Sequence, residues 1–147
     1  MLLFKTPKPR DKIITRMVPK LTSGTLPSGY SLDGDGFTDT TELWHLFDDD
    51  SETSATFFRS CLLTIDVPEY FIPRSIDISY SSTMSVLTTT SVAGDVCSYL
   101  TTGTTSTHIV LNHKSAATKK LNIRFSSSGS IPISSIIILG YKLGGAT

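Results

Sequence analysis

The sequence predicts an all-β protein, a sandwich or jelly roll with one short helical turn, and three observations within the chain point to the β class. Apolar and polar residues alternate in two neighbouring segments: Leu63, Ile65 and Val67 with Thr64 and Asp66, then Ile76, Ile78 and Tyr80 with Ser75, Asp77 and Ser79. A period of two marks half-buried strands. Ser and Thr make up about two residues in seven while Lys and Glu are sparse, a balance that favours strands over helices. Further short apolar runs are separated by Ser, Thr and Gly turns, the layout of a sandwich or jelly roll. At 147 residues the chain fits one domain able to bury its own core.

The elements follow in order. Residues 1–37 read as an N-terminal arm and loop, and 38–147 as the sandwich. Pro7 and Pro9 favour an extended entry, so the first twenty positions form an arm or an edge strand. Leu21 to Gly36 is rich in Gly, Ser and Thr, and Asp33-Gly34-Asp35-Gly36 reads as a Gly-rich surface turn. It looks superficially like a calcium loop but lacks the third early oxygen ligand and the closing Glu. Thr40 to Phe47 is the one helical turn, with Leu43, Leu46 and Phe47 at i, i+3 and i+4 behind an Asp39 or Thr40 cap. An acidic turn, Asp48-Asp49-Asp50-Ser51, leads into the strand pair around Leu63 and Ile76, joined by a Pro68-containing link. Later strands are expected at Met84 to Thr90, around Val96 to Leu100, at His108 to Asn112, at Leu121 to Phe125 and at Ile136 to Tyr141.

The formal charge is zero, yet its distribution is uneven. Lys5, Lys8, Arg10, Lys12, Arg16 and Lys20 face one acid, Asp11, whereas Asp33, Asp35, Asp39, Glu42, Asp48, Asp49, Asp50 and Glu52 form a region without Lys or Arg. The arm is either a solvated terminus or an intersubunit arm lying on the acidic region of a neighbouring copy. A nucleic-acid surface would need stacking aromatics, and only Phe4 lies nearby; no nucleic acid is expected. Leu2, Leu3 and Phe4 precede the basic residues, the reverse of a secretory signal, and the longest apolar run, Ile136 to Leu139, is far short of a membrane span. Cys61 and Cys97 form neither a C-x-x-C site nor a disulfide framework, and Cys61, opening an apolar strand, reads as a buried thiol. His45, His108 and His113 belong to no catalytic constellation, and an odd spacing puts His108 and His113 on opposite faces of a strand. The chain reads as non-enzymatic.

The order of these features resembles the galactose-binding-like β-sandwich, the discoidin or coagulation-factor type C jelly roll that also occurs in phage tail and virion proteins. The early landmark is Leu46-Phe47-Asp48-Asp49-Asp50-Ser51 followed by Thr56-Phe57-Phe58. The next is Leu63-Thr64-Ile65-Asp66-Val67, then Ile72 to Ile78. The closing landmark is Leu121 to Phe125, the Ser126 to Ser130 turn, and Ile136 to Tyr141. Asp49 stands where the family has Gly, which reaches backbone angles that Asp takes only at a cost. Phe57 or Phe58 stands where the family has Trp, keeping an aromatic plug without an indole donor.

The resemblance implies one cofactor, a structural calcium ion beside the acidic turn, with Asp48 and Asp50 as ligands and Ser51 and Thr53 nearby. The alternative is a solvated turn in which Asp48 caps local donors. Glycan binding would gather exposed aromatics and polar groups at one end of the sandwich. The glycan or interface candidates are Trp44, Arg59, Tyr70, Arg74 and Tyr99, although Trp44 can equally pack under the helical turn and Tyr70 can anchor an interface. Together with the charge-split ends and the missing secretion signal, the resemblance implies a bacteriophage virion structural protein of the tail, collar, baseplate or fibre. Such a protein would be made in the host cytoplasm, reside in the virion, and partner other virion proteins and copies of itself through the arm. The alternative is a carbohydrate-binding module recognising a host surface glycan.

Overall fold

The computed structural model describes residues 13–92, 95–111 and 117–143. Lys5, Lys8, Arg10, Lys12, Asn112 and His113 lie outside the described residues. The strands are β1 (Ile14–Arg16), β2 (Ser31–Phe37), β3 (Ala55–Tyr80), β4 (Val86–Val92), β5 (Asp95–Thr101), β6 (Ser106–Val110) and β7 (Thr118–Lys142). A 3-10 helix spans Thr40–Phe47, where the sequence places its one helical turn. Asp39 is the cap: its carboxylate accepts from the Thr41 N–H at 2.9 Å and the Thr41 hydroxyl at 2.6 Å. Leu43, Leu46 and Phe47 turn inward. Among the described residues no helix is long and apolar enough to cross a membrane.

β3 and β7 are each long enough to serve two layers. In its first part β3 sets Leu63 opposite Gly34 of β2 on one side and Ile123 of β7 on the other. β7 continues that layer to β4, with Phe125 opposite Thr88, and β4 pairs with β5, with Thr88 opposite Tyr99. In its second part β3 sets Ile76 opposite Ile109 of β6 and Ile138 of β7, and β7 then pairs with β1, Gly140 opposite Thr15. Within each part the β3 number rises as the β7 number falls (Cys61 with Phe125 to Asp66 with Lys120, then Ile76 with Ile138 to Ser79 with Ser135), so the strands run antiparallel. The alternation sends Leu63, Ile65, Ile123 and Phe125 from one layer and Ile76, Ile78, Ile136 and Ile138 from the other into a core where each is at most 1% exposed. The result is an all-β jelly-roll sandwich.

Phe57 is the aromatic plug expected from the sequence. Fully buried, it stacks on Phe125 at 5.8 Å between centroids and meets Phe37 edge-on at 6.5 Å. Phe58 points outward.

Two regions differ from the sequence reading. Asp33-Gly34-Asp35-Gly36 is not a surface turn but part of β2, with Asp33 opposite Thr64 and Asp35 opposite Leu62. Its glycines answer to packing: Gly36 has φ 93°, and a Cβ there would fall on the Ser60 carbonyl oxygen. The first twenty positions, read as an arm or an edge strand, hold the edge strand β1, and what differs is the burial that follows it. β1 pairs with β7, the Met17 N–H donates to the Ile138 carbonyl at 2.8 Å, and Met17, Val18 and Leu21 are buried in the same core. Gly140 marks the tightest approach of β3 and β7, since a Cβ on it would fall on the Ile72 carbonyl oxygen.

Candidate functional site

The helix delivers the acidic turn to the end of the sandwich where β3 finishes and β7 bends. Asp48 is almost wholly buried, and its carboxylate organises the turn. Oδ1 accepts the Asp50 N–H at 2.9 Å; Oδ2 accepts the Thr53 hydroxyl at 2.6 Å and lies 2.8 Å from His45 Nδ1. Burial raises the Asp48 pKa, but the bonds from Thr53, His45 and the Asp50 backbone outweigh it and hold the acid below its ordinary value. Asp50 Oδ1 in turn accepts the Glu52 N–H at 2.9 Å. These oxygens face hydrogen-bond donors, not a common centre, and among the described residues no three His, Cys, Asp or Glu side chains converge on a metal position. The arrangement is that of an acidic turn with Asp48 as its internal cap.

Asp49 adopts φ 59°, the left-handed angle for which the family has Gly. Its carboxylate takes a bidentate pair from Arg16, 2.8 Å on each oxygen. That bond is the main cause holding the Asp49 acid below its usual range, with Lys20 adding attraction, and it raises the Arg16 pKa. Arg16, read from the sequence as part of an intersubunit arm, thus meets the acidic turn of its own chain.

Beside this pair lies a cleft of about 260 Å³ lined by Asp49, Ser51, Ser79, Ser134, Ser135 and Ile137. Ser79 and Ser135 face one another across the β3 and β7 ladder. The Ser134 hydroxyl donates to the Ser79 carbonyl at 3.1 Å, which fixes the floor. Arg16 Nε is buried with no hydrogen-bond partner among the described residues. Sequence reasoning names Asp49 and Ser51 but gives no site role to Ser79, Ser134 or Ser135, because nothing local distinguishes them from the many other serines of the chain.

The sequence-predicted glycan residues do not gather here. Trp44 packs against the core, close to Gly24, with its ring 4.0 Å from that of His45. Arg59 sits at φ 66° on a bulge of β3, its guanidinium 5.0 Å from the exposed Phe58 ring. Tyr99 lies on β5, an outer strand of its layer. Tyr70 and Arg74 flank the bend of β3 at the opposite end of the sandwich, where Lys119 covers the Tyr70 ring at 4.8 Å and Arg74 lies 6.0 Å from the Tyr141 ring.

No family model and no curated protein matches the chain. Solved structures do match. The family 32 carbohydrate-binding module of Clostridium perfringens NanJ, in complex with galactose, is 9% identical, with a TM-score of 0.59 over 86% of this chain and 99% of that one. The C-terminal domain of a chitobiase from Bacteroides fragilis is 12% identical, with a TM-score of 0.59 over 80% of this chain and 97% of that one. A glycoside hydrolase of C. perfringens, in complex with GlcNAc-alpha-1,4-galactose, is 14% identical, with a TM-score of 0.58 over 80% of this chain but only 14% of that one. None of these neighbours carries a phage context. At such identities the likeness is one of fold, and the chain has the galactose-binding-like β-sandwich fold that its sequence resembles.

Proposed function

We propose that this chain is a non-catalytic glycan-binding module and that the cleft beside the acidic turn takes a sugar ring. The observation that carries the reading is the lining of the cleft: a carboxylate held by Arg16, the hydroxyls of Ser51, Ser79 and Ser135, and the apolar wall of Ile137. A pyranose presents adjacent hydroxyls on one side and C–H groups on another. Carboxylate and serine oxygens bond the hydroxyls, while an aliphatic side chain covers the C–H face. The volume lies just under the range of roughly 300–1,000 Å³ typical of larger ligands, which suits a single ring. Family 32 carbohydrate-binding modules among the fold neighbours support a binding role.

The virion-scaffold reading rested on the resemblance, the charge-split ends and the missing secretion signal, with assembly through a basic arm reaching a neighbouring copy. With Arg16 paired to Asp49 of its own chain and Met17, Val18 and Leu21 in its own core, the part of the arm that is described makes its contacts internally, and the glycan reading takes precedence.

The test is calorimetric titration with a panel of neutral saccharides, galactose included. Replacing Ser79 and Ser135 together by Val is expected to weaken binding about tenfold or more, each lost hydrogen bond being worth about 0.5–1.5 kcal/mol. Absence of binding to every saccharide, or binding indifferent to the double substitution in a folded variant, overturns the proposal.

A further inference from the structure

The far end of the sandwich, around the bend of β3, has a surface of different chemistry. Pro68, Glu69 and Tyr70 are exposed there, and the two ends of β7 meet at the bend, because Phe71 lies opposite both Thr118 and Lys142. The Leu143 N–H donates to the Tyr70 carbonyl at 2.9 Å, which ties the bend to the end of β7. Among the described residues four cations collect around it: Lys119 over Tyr70 at 4.8 Å, Arg74 near Tyr141 at 6.0 Å, Lys120 at 3.9 Å from Asp66 and Lys142 at 3.9 Å from Glu69. The two acids are outnumbered, and Arg74 and Lys119 lie over rings instead of carboxylates.

Each of these contacts is weak. An exposed cation over an aromatic ring is worth about 0.5–1 kcal/mol, and an exposed ion pair about 0–1 kcal/mol. A ligand bearing anions would exchange them for shorter, charge-assisted bonds, and the movement of Lys119 would bare the Tyr70 face for stacking on a sugar ring.

We propose that this end is a second binding surface, one for an acidic polysaccharide, which rests on the reading of the chain as a glycan-binding module. The interspersed Asp66 and Glu69 favour that polymer over nucleic acid. Duplex DNA carries one charge per about 1.7 Å of axis and would place phosphates on both acids, whereas a polyuronate carries one charge per ring and can place its carboxylates on the cations between them.

The experiment is titration of the intact chain with alginate, with neutral dextran, with single-stranded DNA and with anionic phospholipid vesicles, at two salt concentrations. Alginate is expected to bind, dextran not to bind at this surface, and affinity to fall as salt rises. Exchanging Arg74, Lys119 and Lys142 together for Gln is expected to weaken alginate binding tenfold or more, while the Ser79 and Ser135 double substitution leaves it within twofold. No alginate binding, binding unchanged in the triple variant, or equal binding to DNA or vesicles overturns the inference. Loss of neutral-saccharide binding on substitution of the cleft is read separately, so the two proposals fail independently.

Discussion

Asp48 offers the sharpest test of how the acidic turn is held. Exchanging it for Ala removes the acceptor of the Asp50 N–H, the Thr53 hydroxyl and the His45 ring nitrogen at one stroke. A hydrogen bond to a charged group is worth about 1.5–3 kcal/mol. Asp50 is exposed and Thr53 and His45 are half-buried, so water recovers part of the loss, and the net cost comes to about 2–4 kcal/mol. For a domain near 150 residues, each kcal/mol moves the midpoint by about 2–4 °C, giving a drop of roughly 4–16 °C. Asn at the same position keeps the shape and one acceptor oxygen and is expected to cost about 1–2 kcal/mol. The folded pKa of Asp48 lies below its ordinary value, and an unfolded Asp titrates near about 3.9. The charge-dependent part of the stability is therefore fully present above that value and is lost as the pH falls through the lower, folded pKa. Urea unfolding from pH 7 downward should show the gap between wild type and Asn at neutral pH and its narrowing once the pH falls below the unfolded Asp value. Trp44, the one tryptophan, stacks beside His45 and reports the turn by fluorescence. A cost under about 0.5 kcal/mol for Ala, or a gap to Asn that does not narrow as the pH falls, refutes the reasoning.

Two further outcomes follow from the same geometry. Calcium should leave the melting temperature unchanged, since the Asp48 and Asp50 oxygens face donors; a bound ion at a hundredfold excess over its Kd would add about 2.7 kcal/mol, which calorimetry would register as a clear rise. The Cys61 thiol, pushed up to about 12 by burial, should resist a thiol reagent at pH 8 in the folded protein and react on unfolding, and rapid modification of Cys61 without unfolding would contradict its burial.

How legible the fold was depended on whether a signal is local. The helix could be read because Leu43, Leu46 and Phe47 repeat at helical spacing behind Asp39, all within nine positions. The ladder of β3 could be read because alternation survives around its bend. β2 was misread, because Gly and Asp are turn formers by propensity, while here Gly36 is dictated by the carbonyl of Ser60, which belongs to a strand still to come. The first twenty positions stayed between an arm and an edge strand for a related reason. Met17, Val18 and Leu21 look dispersed, and only the register of β1 against β7 turns them inward. The acidic turn was visible as a feature, but its Arg16 partner was not. The cleft was invisible, for it depends on Ser79 meeting Ser135 across two strands distant in sequence.

The sharing of β3 and β7 between both layers has a consequence for how the protein is made. β7 lies at the centre of each layer, against β3 and β4 in one and against β3 and β1 in the other. On the ribosome, β1 to β6 therefore emerge without the strand that unites them; the layer of β4 cannot close until Ser127 has cleared the exit tunnel, nor the layer of β1 until Tyr141 has. At about 5–20 residues per second the nascent chain spends several seconds with the apolar faces of β3 uncovered. Its Ser- and Thr-rich composition, which tells so little about a ligand, keeps those waiting strands wettable.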